Sequence, residues 1–163
     1  KSEEISRRSF LKRALALSQY QPSRRSGHPP TDVFYLLPAI SANDRVNIAF
    51  IGIGQRGGEI AKELYNTGLC NVVALCDVDM GAPHTQEIIN MFPKAARFQG
   101  FRTMFDRMGG KIDAVSVGVP DHSHFPITIE AMAHGKHVYV EKPMARTFQE
   151  IEIMMRGAKK YGV

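Results

Sequence analysis

Three glycines, Gly52, Gly54 and Gly57, follow the apolar, β-branched run Val46–Ile51 and fit the pattern G-x-G-x-x-G. In that pattern the glycines allow a tight turn, a close approach of the backbone to a pyrophosphate, and close packing of the next helix. The amino end of such a helix offers N–H groups and a partial positive charge to phosphates. Asp77 lies twenty residues beyond Gly57, where a carboxylate can accept hydrogen bonds from ribose hydroxyls. The spacing therefore predicts a dinucleotide site.

The remaining residues of this loop, Ile53, Gln55 and Arg56, are predicted to contact the same dinucleotide. A carboxylate at Asp77 would repel a 2′-phosphate, which favours NAD over NADP. The Arg56 guanidinium could instead pair with a phosphate or lie over the adenine, so NADP is kept as an alternative. The competing interpretation is a plain glycine turn beside a surface aspartate. The phosphate loop of nucleotide hydrolases and the kinase signatures are both absent from the sequence.

Strand-like and helix-like segments alternate along residues 46–163. Predicted strands cover Val46–Ile51, Asn71–Cys76, Ala96–Phe98, Ile112–Val117 and His137–Glu141, and predicted helices cover Gly57–Thr67, Ala82–Phe92, Thr103–Met108, Phe125–His134 and Thr147–Tyr161. Thr147 and Glu150 form a capping-box pair at the start of the last helix. The alternation predicts an α/β fold with a Rossmann-like, doubly wound parallel sheet. We expect this sheet to stop before a sixth strand.

Two further groups of reactive side chains follow the fourth and fifth predicted strands. The first is Val119–His124, with the sequence VPDHSH, and the second is Glu141-Lys142-Pro143. Ligands of open α/β sheets bind beyond the carboxyl ends of the strands. Both groups are therefore expected at the same edge of the sheet as the glycine loop.

These motifs together resemble the N-terminal half of the glucose–fructose oxidoreductase and inositol dehydrogenase (Gfo/Idh/MocA) family. The resemblance covers residues 46–163, and its most distinctive part is Gly135–Pro143 within the stretch AMAHGKHVYVEKPMA. It implies a nicotinamide-dependent oxidoreductase that transfers a hydride between a hydroxyl carbon of a sugar or polyol and NAD or NADP.

The resemblance also implies roles for single residues. Lys142 matches the family's catalytic lysine near the nicotinamide, where an ammonium can stabilise a developing alkoxide and help to move its proton. Glu141 is similar to a residue on the nicotinamide side of the cofactor, and Pro143 to a proline that is often cis. The resemblance implies that Glu141, Lys142 and Pro143 all belong to the cofactor-binding site. The positions that match the lining of the cofactor pocket are Val119, Pro120 and His122. The competing interpretation of Lys142 is a solvated surface lysine.

The histidines of the VPDHSH segment allow several interpretations. His122 is predicted to line the pocket or cap a helix, and the alternatives are a solvent-facing side chain or metal ligation through His-x-His. No third ligand is evident in the sequence, so we predict no metal site. For His124 a solvent-facing position is predicted.

Residues 1–45 differ in character from the remainder. Ser6–Lys12 (SRRSFLK) has the form of a twin-arginine export signal, which predicts a periplasmic location. The apolar stretch that begins at Ala14–Leu17 is interrupted by the mostly polar residues 19–32 before Val33–Leu37 resumes it. The alternatives are a disordered basic tail on a cytoplasmic protein, or a misread gene segment at residues 19–32.

The charge distribution narrows the choice of partners. The leader holds eight Lys/Arg and four Asp/Glu, whereas residues 46–163 hold thirteen and twelve. A nearly neutral body argues against a nucleic-acid surface, and no apolar run is long enough for a membrane span. Cys70 and Cys76 are predicted to form neither a disulfide nor a zinc site.

The resemblance further implies a second α/β domain with the main catalytic Asp or His, and a homo-oligomer of the full-length protein. We expect that domain to be absent from this chain, which would then bind NAD but turn over little. One alternative function is an NAD-dependent glycosidase that oxidises its sugar transiently, and another is a non-catalytic dinucleotide-binding fragment. Such glycosidases are expected to replace Glu-Lys-Pro by a Glu-Val-Pro-like sequence, so Lys142 favours the dehydrogenase.

Overall fold

Five parallel strands organise the part of the chain that the computed structural model describes, residues 44–163. They are β1 (Val46–Ile51), β2 (Cys70–Cys76), β3 (Ala96–Phe98), β4 (Ala114–Val117) and β5 (His137–Val140). Their order in the sheet is β3-β2-β1-β4-β5, and every pairing is parallel. The predicted Rossmann-like α/β fold is confirmed. The predicted export leader lies outside the described residues.

Five α-helices connect or follow these strands within residues 44–163. They are α1 (Gln55–Asn66), α2 (Pro83–Met91), α3 (Phe101–Met108), α4 (His124–Ala133) and α5 (Phe148–Tyr161), with 3₁₀ turns at Gly109–Lys111 and Asp121–Ser123. Each strand and each α-helix lies within two residues of its predicted bounds, whereas the two 3₁₀ turns were not predicted. In this part of the chain, none of the helices has both the length and the apolar character needed to cross a membrane.

The sheet is covered on both faces, as the predicted doubly wound arrangement requires. Alternate residues of a strand point to opposite faces. Ala49 and Ile51 of β1 therefore pack in a cluster with α3 and α4, whereas Ile48 and Phe50 pack in a second cluster with α1 and α2. Burial on both sides explains why β1 reads as a continuous apolar run.

The strand register aligns the carboxyl ends of the central strands. Ile51 of β1 lies opposite Cys76 of β2 on one side and Val117 of β4 on the other. The ladder continues one step further, since Gly52 N–H donates to the Cys76 carbonyl at 2.8 Å and Gly118 N–H donates to the Ile51 carbonyl at 2.8 Å. The residues that directly follow these strands are thus neighbours at one edge of the sheet.

Helix α5 begins at the predicted cap. Thr147 Oγ1 accepts a hydrogen bond from Glu150 N–H at 3.1 Å. The Glu150 carboxylate accepts from Arg146 N–H at 2.9 Å, which ties down the residue before the cap. Gly162, with φ +70°, ends the helix in the left-handed conformation.

Candidate functional site

A groove of about 730 Å³ runs along the carboxyl edge of the sheet, between the ends of β1, β2 and β4. From the glycine loop, the predicted site residues Gly52, Gly54, Gln55 and Arg56 line it. Its other walls contain the predicted residues Asp77, Val119, Pro120 and His122. The structure therefore brings eight of the predicted residues together around one cavity.

Two glycines permit a close approach of backbones beneath this groove. Gly52 has φ +80°, and a Cβ there would collide with the carbonyl oxygen of Gly118. A Cβ on Gly57 would collide with the carbonyl oxygen of Gly52. Gly57 and Ile53 are buried, so they build the floor of the loop and do not line the groove. The amino end of α1 is consequently drawn tightly onto the sheet.

The amino end of α1 presents backbone N–H groups to the groove. Gly54 is its N-cap residue, and no side chain caps this helix. The first turn of a helix has N–H groups without intrahelical partners, and these carry a partial positive charge. Gln55 adopts φ +35°, a conformation that costs a non-glycine residue about 1–3 kcal/mol and that is frequent at ligand-binding sites. The arrangement suits an anionic group such as a phosphate.

Asp77 is held in place by backbone groups. Its Oδ2 accepts from Ile53 N–H at 2.9 Å, and its Oδ1 accepts from Asp79 N–H at 3.0 Å. A carboxylate has about four acceptor positions, so roughly two remain for hydroxyl donors of a ligand in the groove. The bond to Ile53 also fixes the carboxylate against the glycine loop.

Arg56 joins the glycine loop to the end of β5. Its guanidinium lies 3.1 Å from Glu59 Oε2, 3.9 Å from Glu63 Oε1 and 3.4 Å from Glu141 Oε1. The Glu141 side chain is only 12% exposed. Partial burial and the Glu141 carboxylate raise the pKa of Tyr139, whose hydroxyl donates to Glu141 Oε1 at 3.4 Å. Three carboxylates thus surround the Arg56 guanidinium.

The Glu141-Lys142-Pro143 segment lies beyond the lining of the groove. Glu141 is connected to it through Arg56, and its own N–H continues the sheet ladder to the Val117 carbonyl at 3.0 Å. Lys142 is exposed, and the Lys142–Pro143 peptide bond is cis.

The two histidines of the VPDHSH segment differ sharply in environment. His122 is exposed and lines the groove. His124 is only 1% exposed, so the predicted solvent-facing position is wrong. As the first residue of α4, His124 turns inward onto the loop after β5, and its Nδ1 lies 2.7 Å from the Pro143 carbonyl oxygen. Among the described residues no group of three or more His, Cys, Asp or Glu side chains could hold a metal ion.

Several residues that line the groove lie outside the motifs recognised in the sequence and were not predicted. The side chains of Asp79, His84, Gln99 and Phe101 line the groove together with Gly118. His84 lies directly over Gly54, since a Cβ on Gly54 would collide with its ring. Gly118 could have been suspected, because a glycine directly after an apolar strand marks a place where two backbones meet.

The comparisons with known proteins agree with this geometry. A family model described as "Oxidoreductase family, NAD-binding Rossmann fold" matches residues 46–163. The chain is 29% identical over 167 residues to a glycosyl hydrolase family 109 protein of Shewanella pealeana, covering 90% of this chain and 35% of that protein. The chain therefore spans about a third of that relative's length.

Two solved structures are similar to the described part of the chain. Myo-inositol 2-dehydrogenase from Lactobacillus plantarum superimposes with a TM-score of 0.63 and 27% identity, over 72% of this chain and 34% of that chain. The WlbA dehydrogenase from Bordetella pertussis, in complex with NADH and UDP-GlcNAcA, superimposes with a TM-score of 0.62 and 22% identity. The superposition covers 73% of this chain and 36% of the WlbA chain. At 22% identity this similarity shows the fold alone.

Proposed function

The chain belongs to the Gfo/Idh/MocA oxidoreductase family with an NAD-binding Rossmann fold, and from this premise we propose that its groove holds NAD for hydride transfer to or from a sugar or polyol. The observation that carries the proposal is the pairing of an uncapped helix end with a fixed carboxylate in one groove. When bound, NAD would supply the acceptor or donor of the hydride.

Within the groove, each end of the adenosine diphosphate part has suitable partners. The N–H groups at the start of α1, from Gln55 to Gly57, would bind the diphosphate. The Asp77 carboxylate would accept hydrogen bonds from the ribose hydroxyls at the acceptor positions that the N–H groups of Ile53 and Asp79 do not occupy. Gly54 has no Cβ, and the ring of His84 lies in the space that a Cβ would need. Rotation of the His84 side chain would open this space above the loop to the diphosphate.

The charges around the groove favour NAD over NADP. Asp77 and Asp79 both line it, and a 2′-phosphate would meet their negative charge. Arg56, the cation that could neutralise such a phosphate, lies among the carboxylates of Glu59, Glu63 and Glu141. We therefore expect titration calorimetry of the chain to give tighter binding of NAD than of NADP. Equal affinity for the two would contradict this part of the proposal.

Lys142 is the residue that we propose for the chemistry of the substrate. Oxidation of a sugar alcohol removes a hydride from carbon and a proton from the hydroxyl. An ammonium beside the oxygen stabilises the negative charge that develops as the proton leaves. The likeness to a myo-inositol 2-dehydrogenase at 27% identity supports a polyhydroxylated substrate.

A transient-oxidation glycosidase is the second candidate, because a curated relative is named as a glycosyl hydrolase family 109 protein. In that chemistry NAD oxidises the sugar, the aglycone is eliminated, water adds to the double bond that forms, and the NADH produced reduces the sugar again, so that no net NADH forms. The two candidates separate in one assay of the full-length gene product. Net NADH from free sugars or polyols supports the dehydrogenase, and release of nitrophenol from a nitrophenyl glycoside without net NADH supports the glycosidase.

The Lys142→Met variant, with Lys142→Arg as its charge-conserving control, tests the role of the lysine. In the full-length gene product, we expect Lys142→Met to lower kcat by about 10²- to 10⁴-fold, the usual contribution of a positioned acid–base group. Its affinity for NAD should stay close to that of the unmodified protein. An unchanged kcat would remove Lys142 from the mechanism.

A further inference from the structure

His124 makes one polar contact from a buried position between the two groups of predicted site residues. It is the first residue of α4, two residues after the groove-lining His122, and it is 1% exposed. Its Nδ1 lies 2.7 Å from the carbonyl oxygen of Pro143, the residue after Lys142. The contact spans from the end of β4 to the end of β5.

The chemistry of the partner settles the direction of this hydrogen bond. A carbonyl oxygen only accepts, so Nδ1 of His124 must carry the hydrogen and donate it. The other ring nitrogen, Nε2, is buried and makes no hydrogen bond within residues 44–163, and the same holds for Thr128 Oγ1 one turn further along α4. In this part of the chain, the bond to Pro143 is therefore what fixes the orientation of the imidazole.

The loop that receives this bond has few backbone-to-backbone hydrogen bonds, and its best-held N–H, that of Arg146, lies at the α5 end, where it donates to the Glu150 carboxylate at 2.9 Å. After the ladder bond from Glu141 N–H to the Val117 carbonyl, the next backbone-to-backbone hydrogen bond along residues 44–163 is the one from Ile151 N–H to the Thr147 carbonyl. The Lys142 N–H is 3.3 Å from its neighbouring carboxylate, Glu141 Oε2. Pro143 has no N–H to donate, so its carbonyl is the backbone polar group through which it can be held.

We propose that His124 is a positioning residue for Lys142. By holding the carbonyl of Pro143, the imidazole fixes the path of the backbone where it leaves β5, and with it the direction from which the Lys142 side chain projects. Because His124 belongs to the same short segment as His122, the lysine is held in register with the wall of the groove. The consequence for catalysis rests on the proposed function, whereas the positioning itself does not.

Hydrogen–deuterium exchange of the full 163-residue chain tests the positioning. Three variants of His124 separate the hydrogen bond from packing. Leucine removes the donor, asparagine places an amide N–H at about the position of Nδ1, and glutamine places its amide nearer to Nε2. We expect His124→Leu and His124→Gln to speed exchange in the peptide covering residues 142–147 by about three- to tenfold, as loss of one hydrogen bond predicts. His124→Asn should restore exchange to near the unmodified rate.

Thr128→Val is the matched control, because it alters a buried side chain of α4 one turn from His124 whose hydroxyl makes no hydrogen bond within residues 44–163. It should leave exchange in residues 142–147 unchanged. The peptide covering β1 and α1 should be unaffected in every variant. Equal loosening in Thr128→Val and His124→Leu, or no change at residues 142–147 in His124→Leu, would overturn the proposal in favour of a packing role.

The two proposals fail in different ways. If the unmodified chain does not bind NAD in calorimetry, the proposed function fails, while the exchange experiment still decides the role of His124. In the full-length enzyme, positioning predicts that His124→Leu lowers kcat with little change in the KM for NAD, and that His124→Asn restores kcat. The positioning role would be contradicted if all three His124 variants lowered the thermal midpoint equally and none lowered kcat without changing the KM for NAD.

Discussion

We expect individual carboxylate and imidazole side chains to determine which ligand the groove binds. We expect nucleotide recognition to depend most on Asp77, because this residue contacts the glycine loop and lines the open cavity. His124 has a comparable position on the other side, where it contacts the loop that carries Lys142. Neither residue acts alone, since each is oriented by a backbone group of a neighbouring strand end.

Replacing Asp77 by alanine is expected to raise the Kd for NAD by roughly 10- to 100-fold, the effect of losing charged hydrogen bonds to the ribose. Asp77→Asn, which keeps one acceptor oxygen, should raise the Kd for NAD by less than Asp77→Ala does. It should also bring the Kd values for NAD and NADP closer together. Calorimetric titration measures both, and thermal unfolding of each variant accounts for the lost bond to Ile53. Unaltered NAD affinity in Asp77→Ala would remove the ribose role.

The two cysteines are predicted to be chemically inert in the folded protein. Burial, with a smaller contribution from the Asp77 carboxylate, raises the pKa of Cys76 to about 12, and burial also raises the pKa of Cys70. The thiolate is the reactive form, so at pH 8 only on the order of one Cys76 in 10⁴ is reactive. Native protein should show no reaction with a thiol-specific disulfide reagent, and denatured protein should show two thiols. Rapid stoichiometric labelling of the native chain would contradict the burial.

At the scale of elements, the site depends on how closely α1 is drawn onto the ends of β1 and β4. Gly52, Gly57 and Gly118 meet there, and backbone atoms occupy the space that any added Cβ would need. This close packing depends on α1 and on the ends of β1 and β4 together, and on no single element. It sets the height of the helix amino end above the groove.

Gly118→Ala should destabilise the chain by about 1–3 kcal/mol, as expected for an added methyl group in a packed interior. Its Cβ would lie 2.8 Å from the Cα of Gly57, a backbone atom that cannot rotate away. Gly109→Ala is the control, because Gly109 has helical φ and ψ of −49° and −40° and its Cβ would meet nothing within 4 Å. Urea unfolding measures both variants, and equal stability would show that α1 can shift at no cost. If the added Cβ displaces α1, the affinity for NAD should also fall.

At the scale of the whole molecule, the leader raises the question of where a dinucleotide enzyme would work. We propose export through the twin-arginine route, which carries folded proteins, so that NAD would have to be bound before export and retained afterwards. Copurification of NAD with the exported full-length protein would support retention, and a site that exchanges NAD freely would count against it.

A charge-conserving pair of substitutions tests export. Arg7→Lys with Arg8→Lys removes the planar guanidinium groups but keeps both charges, and should reduce a fused periplasmic reporter to the level of a leaderless one. The same leader offers a matched control, Arg24→Lys with Arg25→Lys, which lies outside the SRRSFLK signal. Loss of export in the control pair alone, or export in both, would contradict the assignment of Ser6–Lys12.

The sequence by itself determined the elements and the identity of the glycine loop. Apolar patterns are local, and so β1 could be placed from its continuous apolar run and α1 from its helical spacing, each to within two residues. The loop residues Gly52, Gly54 and Gly57 could be found because a phosphate-approaching turn demands glycine at set intervals.

Only the tertiary structure decided which distant residues meet. The inward position of His124 depends on the loop after β5, and the position of His84 over Gly54 depends on how α2 packs beside α1. Arg56 and Glu141 are 85 residues apart in sequence and meet at 3.4 Å because β4 and β5 extend the sheet beside β1. Such contacts follow from strand order and helix packing, which no spacing within a single segment encodes.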